Sequence, residues 1–158
     1  MKQWNLTPVP VESDGQVEEM RVIRNSCRGF MTRNQDEISP EAQRRWWKTV
    51  ERDQTLRAWL YRLEDHTADA SGVVSFVNAG YGIVRIEGEK VLVSGGLRPE
   101  CRGIGLGRAL FAHLVAESGP VVHLEVLESN ARARQVYERL GFREEARIAG
   151  IVHMVRRG

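Results

Sequence analysis

The stretch LRPECRGIGLGRAL, residues 97–110, decides how the rest of the chain is read. Gly103, Gly105 and Gly107 alternate with Ile104 and Leu106, and Arg102 and Arg108 flank them. A β-rich segment precedes the glycines and a helix-like apolar run follows. A glycine-rich turn between strand and helix exposes backbone N–H groups at the positive end of a helix dipole, which makes a cradle for phosphate. Glycine also lets the backbone take positive φ and lets a ligand come close.

Three phosphate loops compete for this stretch. A P-loop needs Lys followed by Ser or Thr after its last glycine, and Gly107 is followed by Arg108 and Ala109. A dinucleotide fingerprint needs a small residue at its third glycine position so that helix packs on strand. Counting from Gly103 or from Gly105, that position holds Arg108 or Leu110, and both are bulky. The third loop is Arg-Gly-x-Gly-x-Gly with a proline three residues ahead. Pro99, Arg102, Gly103, Gly105 and Gly107 supply it, with Leu97 before and Ala109 and Leu110 after. Downstream, LEVLESNARARQVYERLGF carries Asn130, Ala133, Tyr137, Gly141 and Phe142 in a strand-then-helix context. Together the two segments resemble motifs A and B of the GCN5-related N-acetyltransferases, over roughly residues 91–143.

Working outward, the other elements can be placed by period and punctuation. QWNLTPV (3–9) reads as a short strand that Pro8 either confines to an edge or ends. Ser13 or Asp14 caps a helix running to about Cys27, with Val17, Met20, Ile23 and Cys27 as its inward stripe. RGFMTRNQDEIS reads as an ordered polar loop. Ser39-Pro40-Glu41 starts a second helix, carrying Trp46, Trp47 and Val50. LRAWLYRLE is a strand, HTADASG (66–72) a turn, and a long strand follows in which Gly80 and Gly82 mark a bulge or a close approach. A hairpin turns at Glu87-Gly88. After the glycine loop come the helix GRALFAHLVAES, the buried strand VVHLEVL (121–127), a helix begun by Asn130 and ended at Gly141, and two last strands around Ala149-Gly150. The order β-α-α-β-β-β-α-β-α-β-β predicts one α/β domain over residues 1–158 with a mixed sheet.

The composition is ordinary for a soluble globular protein. In 158 residues the net charge is +2, which creates no strong field for nucleic acid or membrane. The cations are 20 Arg and only 3 Lys, and Arg is the better reader of planar anions. Cys27 and Cys101 are too few for a disulfide scaffold, and the four His show no metal-ligand spacing. No long apolar run opens the chain, so the expected location is the cytoplasm. The strand IVHMVRR reads as an unmatched sheet edge that could pair with a second copy.

The resemblance implies more. It implies a mostly antiparallel mixed sheet with two splayed central strands, flanked by about four helices, and acetyl-CoA as co-substrate without a metal. The implied activity is transfer of the acetyl group to a primary amine by direct attack in a ternary complex. The alternative is a non-catalytic acyl-CoA-binding domain. On this reading the cofactor is held by Leu97, Arg102, Gly103, Ile104, Gly105, Leu106, Gly107, Arg108, Asn130 and Ala133. A backbone N–H near Leu97 polarises the thioester oxygen, and Ser94-Gly95-Gly96 suits a strand end that a ligand approaches. Tyr137 is the candidate to protonate the departing thiolate. Its place in the Ala133, Val136, Tyr137, Leu140 stripe would equally suit a core residue. For the base, Ser94, His123 and Glu125 stay open, with His123 and Glu125 on one strand face. The acceptor falls to the first two helices and their loop. There Arg24 and Arg28, one turn apart, with Asn25, Arg33 and the tryptophans, suggest an amine that carries an anion, such as a nucleotide-linked amino sugar, or another small amine.

Overall fold

The computed structural model describes residues 5–65 and 75–158, so the turn expected at 66–72 lies outside the described residues. The chain runs β1 (Asn5–Pro10), α1 (Asp14–Ser26), α2 (Pro40–Asp53), β2 (Leu56–Asp65), β3 (Ser75–Glu87), β4 (Lys90–Leu97), α3 (Leu106–Ser118), β5 (Val121–Leu127), α4 (Ala131–Arg139), β6 (Arg143–Ile148) and β7 (Ile151–Arg157). Short 3-10 turns sit at Arg28–Phe30 and Pro99–Cys101.

Local chemistry sets the helix ends. Ser13 and Gln16 form a reciprocal capping box at the start of α1. Ser39 accepts from Ala42 N at the start of α2, with Pro40 in the first turn. Asn130 accepts from Ala133 N at 3.2 Å to start α4. After α4, Gly141 turns left-handed at φ 97° and Phe142 returns its N–H to the Tyr137 carbonyl at 3.0 Å.

The seven strands form one mixed sheet in the order β1-β2-β3-β4-β5-β7-β6. All neighbours are antiparallel except β4 and β5, which run parallel and meet only at Leu92 and His123. Beyond that pair they diverge toward the ends of both strands. The strand IVHMVRR, expected at an edge, is internal. As β7 it pairs with β5 on one side and β6 on the other. Its alternating Val152 and Met154 are buried because that face packs into the core with Leu114, Leu124 and Phe142. The sheet edges are β1 and β6, and Pro8 sits on β1 as its missing N–H requires.

Helices cover both faces. Alternation along β2 sends Ala58 and Leu60 to a core with Val17, Met20 and Ile23 of α1, while Trp59 and Tyr61 face Leu110, Leu114 and Phe142. Both readings of the β3 glycines hold. Ala79 is a bulge, since Tyr61 opposes Gly80 whereas Arg62 opposes Asn78. A Cβ on Gly80 would lie 2.6 Å from the Gly96 carbonyl and 2.9 Å from Leu110. Glycine there lets α3 seat against the sheet beside the splay.

Candidate active site

The divergence of β4 and β5 opens a cavity of about 800 Å³. Leu97 and the Ser94–Gly96 segment of β4 form one wall, and Leu124 and Val126 of β5 the other. The glycine loop closes the top. Arg98 N bonds the Ala79 carbonyl on β3, so strand alternation directs the Leu97 N–H the opposite way, into the gap. Gly95 and Gly96 also have a packing reason for their lack of side chains. A Cβ on Gly95 would come 2.5 Å from the Tyr81 carbonyl, and one on Gly96 would come 2.7 Å from Cys27 Sγ.

The loop suits a diphosphate. Gly103 and Gly105 take φ of 82° and 87°, and nothing lies within 4 Å of the place where a Cβ on Gly105 would stand. No side chain caps α3, so its first-turn N–H groups remain available to an anion. The side chains around the loop divide the work. Arg108, Asn130 and Ala133 line the cavity. Leu106 turns its side chain into a core with Leu63, Ala79 and Cys101, and Ile104 is half exposed on the outer side. Arg102 reaches the cavity wall, but its guanidinium donates to the carbonyls of Leu97 and Ser26, both at 3.1 Å, and stacks over Phe30. It ties the loop to the end of α1. Arg132 and Arg139 of α4, which sequence reasoning passed over, also line this cavity. Their spacing of seven placed them on one helix face with Asn130 nearby, and that was the available signal.

Tyr137 is 9% exposed and lies edge-on between Phe111 and Phe142, with ring centroids 4.8 and 6.1 Å away. It is both a core residue and a cavity residue. Burial pushes its hydroxyl well above the ordinary tyrosine value, so it stays protonated at neutral pH and can donate.

A second cavity of about 440 Å³ adjoins the first. Both are lined by Met31, Thr32, Val93, Ser94 and Glu125. Trp46 and Ile38 on one side and Tyr81 and Ile83 on the other make it partly apolar, while Arg24, Arg33 and Arg85 bring positive charge. Glu125 sits at the junction. Arg33 donates to it at 2.7 and 3.2 Å and Thr32 Oγ1 at 3.1 Å. The Arg33 hydrogen bond holds the Glu125 carboxyl below the usual carboxylate range against the opposing effect of burial. Arg33 also grips Glu87 at the β3–β4 turn, at 2.6 Å. His123 lies on the Glu125 face of β5 but contacts Glu145 on β6 at 3.7 Å, away from both cavities. Burial lowers its pKa.

The expected acceptor residues separate. Arg24 lines the second cavity and spends its guanidinium on the carbonyls of Asn34 and Asp36. Asn25 lines neither cavity; its amide closes two bonds with Ile38, at 2.9 and 3.0 Å. Arg28 is exposed and loosely paired with Glu37 at 3.8 Å. Arg24 and Asn25 shape the loop over the cavity because their side chains satisfy loop backbone groups. Gln43 was missed. It is 5% exposed, lines the second cavity, and its side-chain amide makes no hydrogen bond among the described residues. A lone polar residue in the first turn of an amphipathic helix carries no sequence signal of that kind.

The comparisons with known proteins agree with this geometry. No curated protein sequence matches the chain. Among solved structures, a domain from Methanocaldococcus jannaschii superposes with a TM-score of 0.79 at 14% identity, covering 99% of this chain and 100% of that one. Spermidine N-acetyltransferase from Vibrio cholerae, in complex with CoA and spermine, gives 0.73 at 19% identity, covering 95% and 94%. Ribosomal-protein-alanine N-acetyltransferase from Brucella melitensis gives 0.69 at 18% identity, covering 98% and 99%. The family model for the acetyltransferase (GNAT) family matches residues 17–142. With that match spanning the helices, the splayed strands and the glycine loop, the chain belongs to the GNAT acetyltransferase family and is an acetyl-CoA-dependent N-acetyltransferase.

Proposed function

We propose that the protein acetylates the primary amine of a small acceptor that also carries an anionic group, by direct attack while both substrates are bound. The observation that carries this reading is the junction of the two cavities at Thr32, Ser94 and Glu125. Bound acetyl-CoA supplies an activated thioester in the larger cavity. The glycine loop amides, with Arg108 and Asn130, hold its phosphate end, and the Leu97 N–H faces the gap where a thioester oxygen can accept from it. Glu125, ionised and oriented by Arg33 and Thr32, receives the acceptor ammonium and takes its proton, directly or through water. The buried Tyr137 hydroxyl returns a proton to the departing thiolate.

Charge separates acceptor classes. The smaller cavity presents three guanidinia, and Arg33 is already spent on carboxylates. Arg85 also pairs with Glu87, at 2.9 Å, and Arg24 bonds loop carbonyls. Three arginines against the one carboxylate Glu125 still leave the lining net positive toward an acceptor anion, while Glu125 faces the amine. A polyamine such as the spermine held by the Vibrio cholerae enzyme would meet like charges here. Gln43 offers a donor and an acceptor at the α2 wall, beside Trp46, for a further polar group. The test is CoA thiol release over a panel of amino acids, amino-sugar phosphates and polyamines. Turnover confined to anionic amines supports the reading, and preference for spermidine overturns the acceptor class. Acetyl-CoA binding with no turnover on any amine would favour a binding domain instead.

A further inference from the structure

Two buried polar side chains of the smaller cavity lack the partners that burial normally demands. Gln43 on α2 is 5% exposed, and its amide makes no hydrogen bond among the described residues. Tyr81 on β3 is 3% exposed, and among the described residues its hydroxyl meets only the Met31 sulfur, at 3.9 Å. A thioether is a weak acceptor, so that phenol is close to unspent. Core packing fixes both residues from behind. Tyr81 packs with Met20 and Ile23 of α1, and Gln43 lies one helical turn before Trp46. The three cavity arginines already bond carboxylates or loop carbonyls, so they do not account for these two groups.

Along β3 the cavity-facing row runs Tyr81, Ile83, Arg85. Four residues of strand put Tyr81 about 13 Å from Arg85, so the phenol and the cation mark different ends of that wall. Ile83 lies between them, and Ile38 and Trp46 add further apolar lining. A phenol and a carboxamide can each donate and accept. A carboxylate or phosphate only accepts, and would leave the Gln43 carbonyl unpaired. A neutral hydroxyl or carboxamide does both and matches the pair. The apolar lining suits an aliphatic stem better than a sugar ring, whose hydroxyls would be desolvated against isoleucine. We propose that Gln43 and Tyr81 form a specificity subsite for a neutral hydroxyl or carboxamide, so that the acceptor is a short amino acid bearing that group on its side chain. The subsite rests on the smaller cavity taking an anionic amine. Burial pushes the Tyr81 phenol well above the ordinary tyrosine value, so it stays a neutral hydroxyl at neutral pH.

CoA thiol release on two matched pairs tests it: homoserine against 2-aminobutyrate, and glutamine against 2-aminopentanoate. The first pair reads a hydroxyl and the second a carboxamide. The wild type should favour the polar member of one pair by about 10-fold or more in kcat/KM, because the apolar member leaves buried groups unpaired. Tyr81→Phe deletes a single oxygen and should keep the fold; Gln43→Leu is the second variant. In both, the ratio should fall toward one, because the polar member loses more than the apolar member. Equal losses on both members, with the ratio intact, would mark a merely structural role and overturn the subsite. Equal wild-type use of the members of both pairs would also overturn it, as would turnover of amino-sugar phosphates with none of the four amino acids. Turnover of polyamines alone, or of no amine, would instead overturn the acceptor reading on which the subsite rests.

Discussion

Single residues carry the chemistry here through their surroundings. On the proposed mechanism Tyr137 protonates the departing thiolate, so Tyr137→Phe should lower kcat about 100-fold and leave the KM for acetyl-CoA nearly unchanged. An unchanged kcat in that variant would show that the residue only packs. Glu125 is held ionised by Arg33, so its protonation should not limit the rate between pH 6 and 9. The rate in that range should rise with pH as the acceptor amine loses its proton. Glu125→Gln should reduce acceptor kcat/KM about 100-fold or more, the range typical of a lost general base, without changing acetyl-CoA binding. Arg33→Ala should move the acid limb of the profile upward, because Glu125 then returns toward its ordinary pKa. Gln43→Leu should raise acceptor KM and leave acetyl-CoA KM alone, since the amide lines only the smaller cavity.

At the level of elements, the site depends on where strands and helices meet. Gly80 is where β3, β4 and α3 touch, and a methyl group there would meet the Gly96 backbone at 2.6 Å. Backbone cannot yield as a flexible side chain can, so Gly80→Ala should destabilise the fold by about 1–3 kcal/mol, read by urea unfolding. Gly105 has free space around it, so its reason is conformational. Gly105→Val must place a β-branched residue at φ 87° and fill the anion cradle. That variant should lose its thermal stabilisation by acetyl-CoA; an unaltered shift would remove the loop from the cofactor site. The polar loop between α1 and α2 is an ordered wall for a similar reason. Arg21, Arg24 and Asn25 bond the backbone of residues 34–38, and Arg33 clamps it to β3 and β5.

Across the whole molecule, acid should loosen the fold in two stages. His113 and His123 have pKa values lowered by burial, so the folded state prefers them neutral. Their contribution is present above the unfolded histidine value of about 6.5 and fades as pH falls below it. The depressed carboxyls of Glu87 and Glu125 contribute above about pH 4.3, and that contribution is lost as pH falls further. Urea midpoints should therefore decline from pH 7 to 5, then more steeply toward pH 3; a flat profile from pH 7 to 5 would exclude the histidine contribution. The sequence alone determined the element order, the helix caps at Ser39 and Asn130, the first cap to within Ser13 or Asp14, and the glycine loop that identifies the family. Those features are local, being written in turn chemistry, periodicity and short spacing. Only the tertiary structure decided that β7 is internal, that Asn25 and Arg28 serve the loop instead of lining the cavity, and that Gln43, Arg132 and Arg139 line the two cavities. Each of these depends on which distant segments the sheet brings together; the seven-residue spacing of Arg132 and Arg139 gave their shared helix face but not the cavity that face meets. The splay of β4 from β5, which makes the site, arises from pairing that stops after Leu92 and His123.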